Sequence, residues 1–237
     1  MTNAKFEANE IKGKLSRHKF QEYLFFWFIH VSVSHSLSRS SVNGPNNSYR
    51  IIDNEEVRFT LVPTEACTED MVLMVLSAPN NVHKRNLMRT RISNVDDVKL
   101  LFLLGLSTKH QKQIDTEHVQ HDDIVQATVQ DSYDTLSYKS LFGFLWINQN
   151  CPETKYITKT DDDVTLDITL LKKTLNSKYG DNPPDIMECP SVIRNMRPLK
   201  QNHTGTIMAK FFITSYELQR RVYPDLCFGW LYVITPR

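Results

Sequence analysis

The sequence predicts an open α/β sheet flanked by helices. Two unbroken apolar runs of strand length and a regular alternation of strand-like and helix-like stretches point there. A third sign is "KYITKTDDDV", residues 155–164, where an alternating apolar stretch stops on three consecutive aspartates. Sheets of this kind bind ligands at the carboxyl ends of their strands.

The elements follow in chain order. "MVLMVLSAP", residues 71–79, is a continuous apolar run closed by Pro79, as expected of a central strand buried on both faces. "NVHKRNLMRTR" follows with Val82, Leu87 and Met88 set among cations, a short helix. "VKLLFLLG", residues 98–105, is a second buried strand ended by Gly105, and Ile124–Val129 a third, after the acidic and histidine-rich "TEHVQHDD". In "DTLSYKSLFGFLWINQNC" the residues Leu136, Leu141, Phe144 and Leu145 recur at helical spacing. "KYITK" is the fourth strand, and "VTLDITLLKKTL" begins the next helix.

The bulk properties narrow the function. Of 237 residues 41% are hydrophobic, enough for a large core, and 28 Lys and Arg against 27 Asp and Glu make no broad electrostatic case for nucleic acid. Residues 1–19 carry Lys5, Lys12, Lys14, Arg17 and Lys19, and read as a cytoplasmic tail. Residues 20–37, "FQEYLFFWFIHVSVSHSL", are a candidate signal anchor. The apolar core Tyr23–Val33 is shorter than the ~20 residues of a membrane span, so a cleaved signal core and a buried helix stay open. Residues 38–69, with "NGPNNS", read as a stem or linker, which puts the folded domain at 70–237. Asn46 and Asn202 each head an acceptor sequon for N-glycosylation. The four cysteines, Cys67, Cys151, Cys189 and Cys227, form no CxxC pair; in an oxidising lumen they allow three complete pairings, and otherwise they are small buried hydrophobes.

Three like charges at a strand end need a partner or a solvated loop. Asp161 and Asp163, alternate residues, point the same way and suit a hard divalent cation such as Mn²⁺ or Mg²⁺ with positions left for phosphate oxygens. The alternatives are a solvated loop or favourable charge at the next helix N-terminus.

Residues 123–171, "DIVQATVQDSYDTLSYKSLFGFLWINQNCPETKYITKTDDDVTLDITLL", resemble the β1,3-glycosyltransferase family of β1,3-galactosyltransferases and β1,3-N-acetylglucosaminyltransferases. The D-I-(V/I)-Q, D-(S/T)-Y-x-N-L-(T/S)-x-K, C-P-x-x-x-(Y/F) and K-T-D-D-D-V segments of that family occur in order, with Asp134 and Thr135 near the place of its asparagine. "VLSAPNNVHKRNLMRT" and "YPDLCFGWLYVIT" resemble its flanking segments, so the likeness runs over residues 71–235.

The resemblance implies a nucleotide-sugar-binding (GT-A-like) fold in a single-pass type II protein of the Golgi membrane, held through its N-terminal segment. It implies inverting, Mn²⁺-dependent transfer of a hexose or N-acetylhexosamine from a UDP-sugar donor to a hydroxyl of a glycan acceptor on glycoprotein or glycolipid, in β1,3 linkage. Asp161 and Asp163 would hold the metal; Ser77, Arg85, Arg89, Lys139 and Asp162 would face the donor. Each has a plainer reading: Ser77 as a turn residue near Pro79, Arg85 and Arg89 as a solvated basic face, Lys139 as a helix-surface lysine.

Departures from the pattern are specific. Arg91 stands for a tryptophan, "RPLKQN" for a lysine–tryptophan pair, and Phe228-Gly229-Trp230 for a glycine-rich turn. The sequence ends at Arg237, before the E-D-V segment expected to carry the base and a later histidine associated with the metal. The domain is therefore read as incomplete at its C-terminus and the catalytic base as unknown. The alternative function is a catalytically inactive family member that keeps the donor-binding half. A third reading is weak: "DDDVT" also matches the D-x-D-x-(T/V) pattern of haloacid-dehalogenase-like phosphatases, but no acidic pair follows Asp185.

Overall fold

A computed structural model describes residues 48–50, 56–197, 221–223 and 225–236. The tail, the candidate anchor at 20–37, Asn46 and Asn202 lie outside the described residues. Among the described residues no helix is long and apolar enough to cross a membrane.

The strands are β1 (Ser48–Arg50), β2 (Glu56–Leu61), β3 (Met71–Leu76), β4 (Val98–Leu106), β5 (Ile124–Gln130), β6 (Tyr156–Asp161), β7 (Met187–Glu188), β8 (Val192–Ile193), β9 (Leu226–Cys227) and β10 (Leu231–Ile234). The helices are α1 (Val82–Ile92), α2 (Gln111–His121), α3 (Leu136–Asn150) and α4 (Ile168–Tyr179); a 3₁₀ turn, Tyr133–Thr135, leads into α3. One sheet runs in the order β1-β2-β5-β4-β3-β6-β10-β7, and β8 pairs with β9 apart from it.

The core is parallel: β5, β4, β3 and β6 run together, as their apolar runs require. The edges are antiparallel, through β2 against β5 and β10 against β6. The architecture is thus an open mixed α/β sheet. The expectation that the domain starts near Asp70 leaves out β1 and β2, which extend the sheet upstream. Phe59 of β2 packs edge-on against Phe142 of α3, ring centroids 6.2 Å apart, and Thr60 bonds the Gln126 side chain across the pair.

Alternation along β3 sorts its side chains between two layers. Val72, Met74 and Leu76 join Trp146 and Ile147 of α3 on one face. Met71, Leu73 and Val75 join Met88 of α1, Ile114 of α2, and Ile168 and Leu175 of α4 on the other. Each such side chain, fully buried, contributes roughly 1.5–3 kcal/mol. Gly143 lets α3 lie close on the sheet, since a Cβ there would stand 2.4 Å from Leu103 Cδ1 and 2.5 Å from Met74 Sδ.

Helix α2 was not expected from the sequence. Its buried positions are Ile114 and Glu117, while Val119 is exposed. A charged residue on the core face removes the apolar stripe that periodicity detects. Of the three possible cysteine pairings, the chain makes Cys67–Cys151 and Cys189–Cys227. The first ties the segment before β3 to the end of α3; the second ties the β7–β8 segment to β9.

Candidate functional site

From β3 the chain moves through β4 to β5 on one side, then returns to place β6 on the other side of β3. The carboxyl ends of β3 and β6 therefore flank the point where strand order reverses, the place where open α/β sheets leave a crevice. Leu76 pairs with Asp161 there, so the Ser77–Asn81 loop and the aspartate triplet meet.

The three aspartates part company because β6 ends at Asp161, and Asp162 and Asp163 lie in the turn that follows. Asp162 turns under the N-terminus of α1. Its Oδ2 accepts from Ser77 Oγ at 2.7 Å and Asn81 Nδ2 at 2.8 Å, and its Oδ1 from Lys84 Nζ at 3.0 Å. Burial opposes its charge, but hydrogen bonds from Asn81, Ser77 and Lys84 outweigh that and hold its carboxyl below the usual carboxylate range. Asp161 shares a face with Lys159, two residues back, and its Oδ1 accepts from Lys159 Nζ at 2.6 Å. Burial pushes the Asp161 carboxyl up against the pull of that lysine. Asp163 is 70% exposed, with Lys84 Nζ 3.8 Å away.

Ser77, Arg85, Arg89 and Lys139, expected to face a ligand, are placed behind this surface. Ser77 is 2% exposed and Arg85 fully buried. Arg85 Nη1 donates to Ser77 Oγ at 3.0 Å and to the Ala78 carbonyl at 2.7 Å. The rest of its guanidinium grips Glu117 of α2, and Arg89 bridges Glu117 to Asp123, bidentate on the latter. The solvated basic face expected as the alternative is likewise absent for this pair: a buried ion network stands in its place. Glu117 is lowered despite burial, by its bonds to Arg85 and Arg89. Lys139 is buried, not on the helix surface; its Nζ donates to the Ser77 carbonyl at 2.7 Å and to Asp131 Oδ2 at 2.8 Å. Burial pushes its pKa down. Arg85 and Lys139 thus hold the Ser77 loop from beneath, and Arg89 joins the network through Glu117.

Several participants were not singled out from the sequence. Lys159 had a signal, since it lies in "KTDDD" at strand spacing from Asp161. It is 4% exposed and also donates to the Gly229 carbonyl, tying the site to the turn before β10. Asp131 opens the D-(S/T)-Y segment that ends on its partner Lys139; Glu117 had no signal, because its partners come from another element.

The donor chemistry suits a hard cation. Among the described residues no group of three His, Cys, Asp or Glu side chains is able to hold an ion. With Asp162 engaged by Ser77, Asn81 and Lys84, Asp161 and Asp163 are the members of the triplet that could hold a hard divalent cation, Asp161 by exchanging its bond from Lys159. Lys84 and Lys159 are the cations bonded to the triplet, on Asp162 and Asp161 respectively.

A family model described as Galactosyltransferase matches residues 81–237. Beta-1,3-galactosyltransferase 4 of Mus musculus is 36% identical over 116 residues, which is 46% of this chain and 31% of that protein. UDP-GalNAc:beta-1,3-N-acetylgalactosaminyltransferase 1 of Mus musculus is 27% identical over 202 residues, 79% of this chain and 58% of that protein. Beta-1,3-galactosyltransferase 5 of Gorilla gorilla gorilla is 26% identical over 201 residues, 81% of this chain and 65% of that protein. The chain therefore spans between about a third and two thirds of the length of these relatives.

Proposed function

The chain belongs to the galactosyltransferase family, and from that premise we propose that it binds a UDP-sugar at the carboxyl ends of β3 and β6 and transfers the hexose or N-acetylhexosamine, with inversion, to an acceptor glycan hydroxyl in β1,3 linkage. The observation that carries this reading is the meeting of the Ser77–Asn81 loop with Asp161–Asp163 at the strand-order reversal.

The residues divide the work by depth. Asp161 and Asp163 would hold a divalent cation, Mn²⁺ in this reading, which when bound supplies Lewis-acid neutralisation of a departing diphosphate. Asp162 is occupied by Ser77, Asn81 and Lys84, so it sets the loop rather than the ion. Arg85 and Lys139 hold that loop from below through Ser77 Oγ and the Ser77 carbonyl. Lys84 and Lys159 are the cations beside the triplet. The nucleotide-sugar-binding, GT-A-like character of the sheet belongs to this proposal. So do placement in the Golgi lumen, anchoring through residues 20–37 and glycosylation at Asn46 and Asn202; two disulfides fit an oxidising compartment.

A second reading, donor binding without turnover, draws on the acidic residues downstream of Cys189. Among the described ones Asp225 is paired with Arg194 at 3.3 Å and stands exposed.

Calorimetric titration of the full chain with UDP, with and without Mn²⁺, tests donor binding. Heat that appears only with Mn²⁺ and disappears in the Asp161→Asn/Asp163→Asn double variant is the expected result. A folded chain giving no heat under either condition overturns the donor site. Transfer from UDP-galactose, UDP-GalNAc and UDP-GlcNAc to a glycoside panel then separates the two readings.

A further inference from the structure

Phe228 and Trp230 are large aromatic side chains left 43% and 40% exposed. Their rings lie 6.4 Å apart, centroid to centroid, inclined at 34°, as neighbours on one short turn. The turn is held at several points. Leu231 N–H donates to the Phe228 carbonyl at 3.5 Å, Thr160 Oγ1 to the Trp230 carbonyl at 3.1 Å, and Lys159 Nζ to the Gly229 carbonyl. Cys227, the preceding residue, is disulfide-bonded to Cys189. Leu231 pairs with Thr160, so Trp230 comes level with Asp161 across the β10–β6 pair.

We propose that Phe228 and Trp230 form a stacking platform for the pyranose ring of the acceptor sugar, at the mouth of the donor crevice. The proposal rests on the functional reading above, which needs an acceptor hydroxyl beside the triplet. Ring faces carry a negative quadrupole and draw the polarised C–H groups on the apolar face of a hexopyranose. The hydroxyl edge of the same sugar stays in water or reaches the exposed carboxylates alongside. Two rings are too little surface for a stable protein partner, whose interface needs about 800 Å² per side. They match one monosaccharide. A rigid turn adds to this, because no loop has to be ordered when the sugar arrives. A glycine turn at this place has no ring to offer, so the platform sets this chain apart from the glycine-rich pattern and makes it a determinant of acceptor preference.

Saturation-transfer NMR on the full chain, with methyl β-D-galactopyranoside, methyl β-D-glucopyranoside and methyl N-acetyl-β-D-glucosaminide as probes, tests this. At least one glycoside is expected to receive saturation, strongest at its ring C–H protons. Its affinity is expected to fall about tenfold in Trp230→Gly, to fall again in Phe228→Gly/Trp230→Gly, and to hold in Trp230→Tyr. Melting temperature and Mn²⁺-dependent UDP heat follow in parallel to report the fold and the donor site. No saturation of any glycoside, or saturation indifferent to both glycine variants, overturns the platform. UDP-galactose weakened in Trp230→Gly while UDP is not would assign the rings to the donor hexose and overturn the acceptor role. A wild-type chain that takes up the glycoside but gives no UDP heat would defeat the functional reading and leave the sugar-binding surface standing.

Discussion

The guanidinium of Arg85 and the carboxylate of Glu117, 32 residues apart, meet as a buried pair, Nε to Oε1 at 2.8 Å and Nη2 to Oε2 at 2.6 Å. The pair joins α1 to α2, and through Ser77 it reaches Asp162. A substitution in α2, remote from the triplet in sequence, therefore acts on the site.

Glu117→Gln leaves Arg85 as a buried charge without its counter-ion. The expected cost is about 3–5 kcal/mol in denaturant unfolding, with Arg85→Met/Glu117→Leu less destabilised than either charged single variant. A double variant as unstable as the sum of the singles would show that the two residues do not act as a pair.

Acid should loosen the same network. The folded pKa of both Glu117 and Asp162 is lowered, so their contribution to stability is complete above the unfolded carboxylate range, near about pH 4, and drains away as pH falls through the folded values. Asp162→Asn should flatten the fall of melting temperature on the acid side. It should also speed hydrogen exchange at Asn81 and Lys84. A melting curve whose acid limb is the same in the variant and the parent would remove Asp162 from this account.

Two glycines should respond differently to one methyl group. A Cβ on Gly105 would stand 2.6 Å from the Val129 carbonyl and 2.8 Å from Asp131 backbone atoms, which cannot move without breaking the β4–β5 pairing. A Cβ on Gly143 meets only the ends of Leu103 and Met74 side chains, which can rotate. Gly143→Ala should cost about 1–3 kcal/mol and Gly105→Ala clearly more, measured side by side by thermal unfolding. The reverse order would refute the distinction between backbone and side-chain neighbours.

The disulfides should reduce in sequence. Cys67 and Cys151 are 4% and 2% exposed, whereas Cys189 and Cys227 are only partly covered. Graded reductant followed by alkylation and mass spectrometry should label Cys189 and Cys227 first. Replacing Cys67 and Cys151 by alanine should lower stability by about 2–5 kcal/mol; early labelling of Cys67 would contradict the burial argument.

Local signals in the sequence determined the parallel core. "MVLMVL" and "VKLLFLLG" are apolar on both faces, and only a strand covered by helices on both sides suits that pattern. The helices α1 and α3, the β6 strand and the position of the aspartates at its end were legible for the same reason, since period and punctuation are written in neighbouring residues. Tertiary structure alone decided the rest, because it depends on residues that meet from afar. Helix α2 hides its core face behind Glu117. The sheet gains β2 through Thr60 and Phe59 contacts with β5 and α3. Arg85, Arg89 and Lys139 are taken below the site by Glu117, Asp123 and Asp131, carboxylates on other elements. Spacing along a strand could place Asp161 and Asp163 on one side, but only the fold could give Asp162 to Ser77, Asn81 and Lys84. Charge at a strand end is legible in the chain; the partners that settle what the charge does are distant along it, and folding is what brings them within hydrogen-bond reach.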